Sequence, residues 1–358
     1  LIEGSYDDSS GTPDVRIAAL YTGSGSTLKF GTSNNYGTGI TNTAMTINHV
    51  GTVDIAGTLT VGTFSPTSIS ITSGTVKLDG DYPTGTGNVA LGNEALDALQ
   101  SGGNYNTAIG TYALTTVTTG EQNVGVGYET LKTLTTADNN VAIGMRALQA
   151  NETGTRNTAI GNQALYNNTA SNNTAVGANA GVSVTTAEAN VAIGTYALDA
   201  ATTSGRNTAV GYTALGQHDD ASIGYNTAVG SYSQTTNSSG RYNTSIGHES
   251  FRNLTSATQS TALGRAAGYS TTTGSYSTYV GDGAGLYTTT GEGNTAIGQN
   301  ALRGDSGGIT VGQTVAIGNQ VFQPLTTGTA NTGVGYQAGI SMTTGSQNTL
   351  LGYKAGDA

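Results

Sequence analysis

The sequence predicts an all-β protein: a β-rich neck followed by a parallel β-solenoid, or β-roll, of about 16 coils of about 17 residues, assembled as an elongated homotrimer. Three observations predict the solenoid. A five-residue phrase returns at an almost constant interval, β-branched and small residues alternate within it, and Thr, Ser, Gly and Asn fill the segments between copies. The composition agrees, because 35% hydrophobic and 9% charged residues among 358 are too few for several ordinary globular cores.

The first 87 residues do not follow the repeat and form the predicted neck. Alternating apolar and polar residues predict strands at 14–21, 27–30, 44–48, 51–62 and 69–78. In the fourth of these strands, the residues expected to be buried are Val53, Ile55, Leu59 and Val61. We therefore expect two domains, a neck or connector at 1–87 and a repeat rod at 88–358.

Each copy of the phrase reads Asn, Thr or Val, a small residue, an aliphatic residue and Gly. The Gly falls at 16 positions, and 11 of the 15 intervals between them are 17 residues long. A period this regular indicates stacked coils, which would rise roughly 75 Å at about 4.8 Å per coil. These anchor glycines are Gly92, Gly110, Gly127, Gly144, Gly161, Gly177, Gly194, Gly211, Gly230, Gly247, Gly264, Gly281, Gly298, Gly318, Gly335 and Gly352.

The alternation within the phrase predicts a short strand whose two faces differ. One face carries Thr or Val and the aliphatic residue, and the other carries Asn, the small residue and Gly. Because a face of small residues lets another backbone approach closely, we expect three copies of the chain to pack along it. The alternative is that Ala and Gly fit a narrow coil interior.

We expect the Gly and Asn columns of the repeat to be structural and not ligand-binding. Stacked Asn amides form hydrogen-bonded ladders in cross-β assemblies, and stacked coils offer the same geometry. The residues that represent these columns are Gly110, Gly127, Gly144, Gly161, Gly194, Gly211, Asn106, Asn123, Asn140 and Asn157.

A second short segment follows each anchor glycine. Two variable residues precede a small residue and then Leu or a substitute, as in Ala113-Leu114, and a turn rich in Thr, Ser, Gly and Asn comes next. We expect this segment to be a second strand, so that the stacked coils make two parallel sheets. The larger core side chains of one coil would then be Ile109 and Leu114.

Composition and charge exclude several classes of protein. There is no Cys for a disulfide framework or a thiolate metal site. A net charge of −10, with 12 basic residues spread along the chain, argues against nucleic-acid binding. No apolar run approaches the ~18 residues of a membrane-spanning helix. Because the chain begins at Leu1 and not at Met, we expect a fragment or a processed product.

No set of residues indicates catalysis, a metal site or a cofactor, so we expect a protein that is not an enzyme. The three histidines, His49, His218 and His248, share no motif. His218 precedes two aspartates in an interval lengthened to 19 residues, where we expect a surface loop. His248 and Glu249 occupy the two variable positions after an anchor, where we expect a solvated face.

Tyrosines recur at the two positions after the anchor glycine and are the candidate glycan-contact residues. Aromatic rings along a rod stack on sugar faces, and the Tyr hydroxyl adds a polar contact. The alternative is that these tyrosines cover the strand edge and supply β propensity. The seven tyrosines are Tyr112, Tyr128, Tyr196, Tyr212, Tyr232, Tyr336 and Tyr353.

The run Asn157-Thr158-Ala159-Ile160-Gly161-Asn162-Gln163-Ala164-Leu165 resembles the head repeats of trimeric autotransporter adhesins of the YadA type. The longer unit, with its Thr-Thr-Gly turn, resembles repeats in phage tail fibres, and residues 45–62 resemble their shaft segments. The resemblance of residues 88–356 implies a left-handed parallel β-roll assembled as a trimer. In the phage group it also implies a C-terminal chaperone that cleaves itself off after trimerisation.

Three functions fit these patterns. The favoured one is a virion tail fibre, a structural rod that binds a host-surface glycan or protein receptor and joins other virion or fibre proteins at its ends. The second is a bacterial extracellular adhesin or surface filament subunit. The third is a tailspike that depolymerises polysaccharide. The first two imply a location on a virion or at a cell surface, with no nucleic acid bound and no membrane span.

Overall fold

The computed structural model describes the backbone of residues 14–22, 25–33, 42–47 and 53–55, together with residues 85–219 and 224–357. The chain divides into two compact units, Leu1–Val76 and Lys77–Ala358. This described part of the chain contains 22 strands and no helix. The predicted all-β class is therefore confirmed.

The first unit contains a four-stranded antiparallel sheet, in which each strand pairs with the next one along the chain. Its strands are β1 (Asp14–Thr22), β2 (Gly25–Ser33), β3 (Asn42–Ile47) and β4 (Val53–Ile55). The first three predicted strands match β1 to β3, and the fourth is confirmed at β4. The strand predicted at 69–78 and the side chains of the predicted buried set lie outside the described residues.

The second unit is a parallel β-solenoid with about 17 residues per turn, as predicted. Sixteen three-residue strands form one sheet, and each pairs in parallel with the strand one turn away. Two more strands, β18 (Thr310–Gly312) and β20 (Thr327–Thr329), pair separately. The strands of the long sheet are β5 (Val89–Leu91), β6 (Thr107–Ile109), β7 (Val124–Val126), β8 (Val141–Ile143), β9 (Thr158–Ile160), β10 (Thr174–Val176), β11 (Val191–Ile193), β12 (Thr208–Val210), β13 (Thr227–Val229), β14 (Thr244–Ile246), β15 (Thr261–Leu263), β16 (Thr278–Val280), β17 (Thr295–Ile297), β19 (Val315–Ile317), β21 (Thr332–Val334) and β22 (Thr349–Leu351).

The face of the strands that points inward is the opposite of the one expected. Ala108 and Asn106 are fully buried, whereas Ile109 is 36% exposed. The same burial pattern holds in β8, where Ala142 in the middle of the strand is buried and the residues on either side of it are not. The expectation that three chains pack along the Asn, Ala and Gly face is therefore wrong. The alternative, a narrow coil interior that accepts only small residues on this wall, is confirmed.

The second segment of each coil is not a strand, so the expectation of two parallel sheets is wrong. Tyr112 and Leu114 have φ angles of 60° and 48°, which lie outside the β region. The Ala113 N–H donates back to Gly110 O at 3.2 Å, which makes this segment a turn. It still contributes to stacking, because the Leu114 N–H donates to Thr130 O of the next coil at 3.0 Å.

In the coils that carry Leu in the turn segment, this Leu and the small residue of the strand form the core. Leu114 and Ala108 are both fully buried. A Cβ atom on Gly125, which occupies the Ala position one coil later, would lie 2.1 Å from Leu114 Cδ1. The large side chain therefore comes from the turn wall, and the sheet wall has room only for a small one. The prediction that Leu114 lies in the core is confirmed, and the prediction that Ile109 lies there is wrong.

The Asn column forms the predicted ladder inside the coil. The Asn140 N–H donates to Asn123 Oδ1 at 3.0 Å, and the Asn157 N–H donates to Asn140 Oδ1 at 3.0 Å. Most of these amides also close their own coil, as Asn140 does when its Nδ2 donates to Gly154 O at 2.9 Å. Asn106 makes the corresponding bond to Gly120 O at 2.8 Å. These side chains satisfy buried backbone groups and tie each coil to the next.

The anchor glycines turn the chain out of the sheet. At the six anchors Gly110, Gly127, Gly144, Gly161, Gly194 and Gly211, φ lies between 123° and 139°. Residues other than glycine rarely adopt backbone φ angles in this range. A Cβ atom on Gly144 would also lie 2.6 Å from Gly161 O of the next coil. Both the backbone conformation and the close stacking therefore require glycine.

Candidate binding surfaces

The outer face of the long sheet carries an uninterrupted column of aliphatic side chains, here called the aliphatic stripe. Strands about 4.8 Å apart and about 10 Å long give the whole outer face roughly 700 Å², which the stripe shares with the column of Thr or Val at the first position of each strand. The stripe alone covers about half of this area, within the range of about 300–600 Å² for the largest apolar patch on a typical monomer, a patch that is often functional. None of its 16 members is buried: Leu91, Ile109, Val126, Ile143, Ile160, Val176, Ile193, Val210, Val229, Ile246, Leu263, Val280, Ile297, Ile317, Val334 and Leu351.

The predicted glycan-contact tyrosines fall into three groups. Tyr196, Tyr212 and Tyr232 lie on consecutive coils, with ring centroids 6.4 and 5.4 Å apart. His248 continues this aromatic row, 6.2 Å from Tyr232. The other groups are the pairs Tyr112 with Tyr128, at 6.2 Å, and Tyr336 with Tyr353, at 5.4 Å.

Strand propensity does not account for the tyrosines of the second variable position. Tyr112, Tyr196 and Tyr232 have φ angles of 60°, 57° and 60°, so they lie in the left-handed region and not on a strand. Tyr212, at the first variable position, is 45% exposed. The row of rings is therefore accessible from outside the solenoid, and its contact with glycans stays a prediction.

Basic side chains hold several of these rings in place. The Arg252 guanidinium lies 5.0 Å from the ring centroid of Tyr232 and 5.8 Å from that of Tyr269. The same Arg252 pairs with the carboxylate of Glu249. Cation–π contacts at exposed sites are worth about 0.5–1 kcal/mol. Arg252 is thus occupied by both its charge partner and its ring partners.

The carboxylate of Glu129 joins three neighbouring side chains. It accepts hydrogen bonds from Lys132 Nζ at 2.7 Å, Arg146 Nε at 2.9 Å and Gln149 Nε2 at 3.1 Å. The bond from Lys132, followed by that from Arg146, holds the pKa of Glu129 below its ordinary value of 4.5, although burial opposes this. The ionised carboxylate of Glu129 therefore stabilises the fold fully at pH values above its ordinary pKa of 4.5. This contribution to the free energy of unfolding is lost as the pH falls through the lowered pKa.

A second row of tyrosines, not expected from the sequence, lies directly before the Asn column. The rings of Tyr225 and Tyr242 stack with centroids 5.2 Å apart and an interplanar angle of 11°. Arg206 Nη1 donates to Tyr225 Oη at 2.7 Å, and its guanidinium lies 5.6 Å from that ring. The signal was present in the repeat, since Tyr105, Tyr225, Tyr242 and Tyr276 all precede a residue of the Asn column.

His218 does not lie on the surface, so the expectation of a surface loop is wrong for this residue, and Asp220 of the same cluster lies outside the described residues. Its side chain is fully buried, and its Nε2 lies 2.8 Å from Ser204 Oγ and 3.4 Å from Asn226 Nδ2. The next residue, Asp219, is exposed and accepts a bond from the Thr202 N–H at 3.1 Å. The two side chains therefore lie on opposite sides of the coil wall and form no joint site.

His248 lies on a solvated face, as expected. Its side chain is 52% exposed, and Nδ1 lies 3.6 Å from Glu249 Oε2. The ring also packs edge-on against Tyr232. Its surroundings are therefore those of an exposed aromatic row and not of an enclosed catalytic group.

A surface pocket of about 670 Å³ lies where one repeat interval lengthens to 20 residues, between Gly298 and Gly318. This volume falls in the range of about 300–1,000 Å³ that is usual for small-molecule sites. The lengthened interval is visible in the sequence, but the pocket is not, because its walls come from consecutive coils. The lining includes Tyr287, Arg303, Asp305, Gln323, Pro324 and Ile340.

The part of the chain that the structure describes contains no group of three or more His, Cys, Asp or Glu residues placed to hold a metal ion. It also contains no helix of the length and apolar character needed to cross a membrane.

Comparisons of the chain with protein-family models, with curated proteins and with solved structures found no match.

Proposed function

We propose that the protein is the structural subunit of a homotrimeric virion tail fibre that attaches to a host surface and performs no catalysis itself. Two kinds of support converge on this function. The repeat resembles those of phage tail fibres and adhesin heads, and the solenoid exposes a long apolar face beside rows of aromatic rings. The apolar face serves assembly, and the other faces serve contact with the receptor and with further fibre proteins.

The aliphatic stripe is the observation that carries the proposal. A fully buried Ile or Val side chain contributes about 1.5–3 kcal/mol relative to an exposed one. A partner that covers the stripe must offer apolar contacts every ~4.8 Å over about 70 Å. Another copy of the chain meets this requirement, because its own stripe has the same spacing. The proposed trimer contact therefore lies on the stripe and not on the Ala face.

The native mass of the chain tests the trimer. Sedimentation equilibrium is expected to give three times the 35.8 kDa of one chain. The double variant Ile143→Lys, Ile160→Lys is expected to sediment as a monomer with an unchanged β-type circular dichroism spectrum, because it places two charges in the proposed contact. A matched control is Met145→Lys, at an exposed position after the anchor glycine, which is expected to remain trimeric.

Two results would contradict the trimer proposal. One is a folded wild-type monomer at micromolar concentration. The other is a trimer that survives the double lysine variant.

Attachment to a host surface is tested by a different measurement. The fluorescently labelled chain is added to a panel of bacterial strains, and cell-bound fluorescence is measured. We expect binding to a subset of strains, and competition with adsorption of phage that infect the same strains. Absence of binding to every strain would contradict attachment while leaving the trimer proposal untouched.

A bacterial extracellular adhesin is the second candidate, because residues 157–165 resemble adhesin head repeats. The adjoining coding sequence distinguishes the two. A coiled-coil stalk followed by a trimeric membrane-anchor domain would select the adhesin, and a self-cleaving chaperone would select the phage fibre. Release of sugar from capsular polysaccharide by the purified protein would instead establish a depolymerase.

A further inference from the structure

The pocket beside the lengthened turn combines aromatic, cationic, acidic and apolar groups. Tyr287 and Arg303 form one wall, with the Arg303 guanidinium 5.4 Å from the Tyr287 ring centroid. Asp305 lies on the inserted loop, and Pro324 and Ile340 add apolar surface from the following coils. Polar groups that converge on one cavity beside apolar surface are among the features of a ligand site.

The inserted residues build this pocket and do not merely lengthen a loop. The chain leaves the coil path after Gly304 and returns at Ile309, which is 1% exposed. The Ile309 N–H donates to Tyr287 O at 2.8 Å, and the Gly304 N–H donates to Gln323 O at 2.9 Å. Both ends of the insertion are therefore bonded to neighbouring coils, so the loop is held beside Tyr287 and Arg303.

Arg303 differs from several basic residues of the solenoid because it is not paired with a carboxylate, a property that it shares among the described residues with Arg206, whose guanidinium donates to Tyr225 Oη instead. Arg146 pairs with Glu129, Arg252 with Glu249 and Arg265 with Asp282. Arg303 is half-buried and contacts the Tyr287 ring, but it has no carboxylate partner among the residues that the structure describes. A guanidinium stacked on a ring keeps its N–H edge free for a carboxylate in its plane.

We propose that this pocket binds an acidic sugar residue, a uronate or a related sugar carboxylate, of a surface polysaccharide. Arg303 pairs with the sugar carboxylate, and Tyr287 fixes the plane of the guanidinium. Pro324 and Ile340 contact the apolar face of the sugar ring, and Asp305 accepts bonds from sugar hydroxyls. This inference deepens the proposed role in attachment and rests on it for its biological meaning, but the binding itself is measured independently.

Isothermal titration of the full chain with short oligogalacturonates tests the proposal. The methyl-esterified oligomers serve as the matched ligand control, because they keep the sugar rings and lose the charge. We expect binding of the acid form and at least about tenfold weaker binding of the ester. Arg303→Ala is expected to weaken binding of the acid form about tenfold to a hundredfold, the usual range for a charge-assisted pair. The affinity of Arg303→Lys for the acid form should lie between the affinities of the wild type and of Arg303→Ala.

A matched protein control is Arg265→Ala. Arg265 is another arginine of the solenoid, but its guanidinium donates to both carboxylate oxygens of Asp282, at 2.8 and 2.9 Å, and it does not line the pocket. Its loss is expected to leave the affinity unchanged. Equal weakening by both variants, or equal affinity for acid and ester, would overturn the proposal.

Sialic acid and mannuronate oligomers then show which sugar carboxylate fits the pocket best. No binding of any acidic oligomer, in a chain that still binds whole cells, would overturn the pocket proposal and leave the attachment function standing. Binding that depends on Arg303, in a chain that attaches to no cell, would support the pocket proposal and contradict the attachment function.

Discussion

At the scale of single residues, the core adjusts its volume coil by coil. Tyr279 occupies an Ala position and is fully buried. The Leu position of its own coil and that of the preceding coil are glycines: a Cβ atom on Gly285 would lie 2.4 Å from the Tyr279 ring, and one on Gly268 would lie 2.8 Å from it. Leu350, the other large residue in the Ala column, is likewise flanked by glycines at both Leu positions, Gly339 and Gly356.

This compensation predicts a non-additive pair of substitutions. Tyr279→Ala is expected to reduce the free energy of unfolding by about 3–5 kcal/mol, because it leaves a cavity. Gly285→Leu alone is also expected to destabilise, because the side chain collides with the ring. The double variant should recover part of the loss, since Leu302 adopts a φ of 49° at the same position as Gly285, whose φ is 61°.

Chemical denaturation of the two single variants and the double variant measures this coupling. A double variant less stable than Tyr279→Ala alone would show that the ring and the glycine do not share one cavity.

At the scale of elements, the Asn column joins each strand to its neighbour. Asn157 and Asn140 are fully buried, and the Asn157 N–H has Asn140 Oδ1 as its acceptor. Serine performs the same task elsewhere in the column, since the Ser277 N–H donates to Ser260 Oγ at 3.1 Å. The column therefore requires a side-chain acceptor and not asparagine as such.

Asn140→Ala is expected to cost about 1–3 kcal/mol of unfolding free energy, because it leaves the buried Asn157 N–H without an acceptor. Asn140→Ser should cost less, and the exposed substitution Asn162→Ala should cost nothing measurable. Hydrogen exchange of the Asn157 amide is the direct readout and should accelerate in the alanine variant. Equal losses for alanine and serine would contradict an acceptor role.

At the scale of the whole solenoid, a polar layer interrupts the apolar core. One apolar cluster ends at Ala228 and the next begins at Phe251. Between them, Gln234 Nε2 donates to Ser245 Oγ at 2.9 Å, and Ser233 Oγ lies 3.0 Å from Ser250 Oγ. Ser233, Ser245 and Ser250 stand where most coils have Ala, and Gln234 stands where half of the coils have Leu.

Replacing the whole layer by Ser233→Ala, Gln234→Leu, Ser245→Ala and Ser250→Ala is expected to raise the melting temperature, because stacked coils gain stability from apolar contacts with their neighbours. Ser245→Ala alone should lower the melting temperature, because it removes a partner from a satisfied buried network. Calorimetry of both variants measures the two shifts. A quadruple variant that melts below the wild type would show that the polar layer itself stabilises this region.

The sequence alone predicted the solenoid, because the interval between anchors is a direct count of residues per coil. It also predicted the positions of the strands in the long sheet and the ladder role of Asn140 and its equivalents. It did not reveal the Tyr287 and Arg303 pocket, because residues on consecutive coils become neighbours only when the coils stack. The buried position of His218 was missed for the same reason, since an inserted segment has no place in the repeat.

Alternation by itself determined that Ala108 and Ile109 point to opposite sides of the sheet. Only the tertiary structure decided which side is the interior, because a strand pattern reads the same with either face inside. The width of the coil decides this. Leu114 on the turn wall fills the interior of the coil, so the side chains that point inward from the sheet must be small. The same width forces the aliphatic residues outward, where they form the stripe on which the proposed assembly depends.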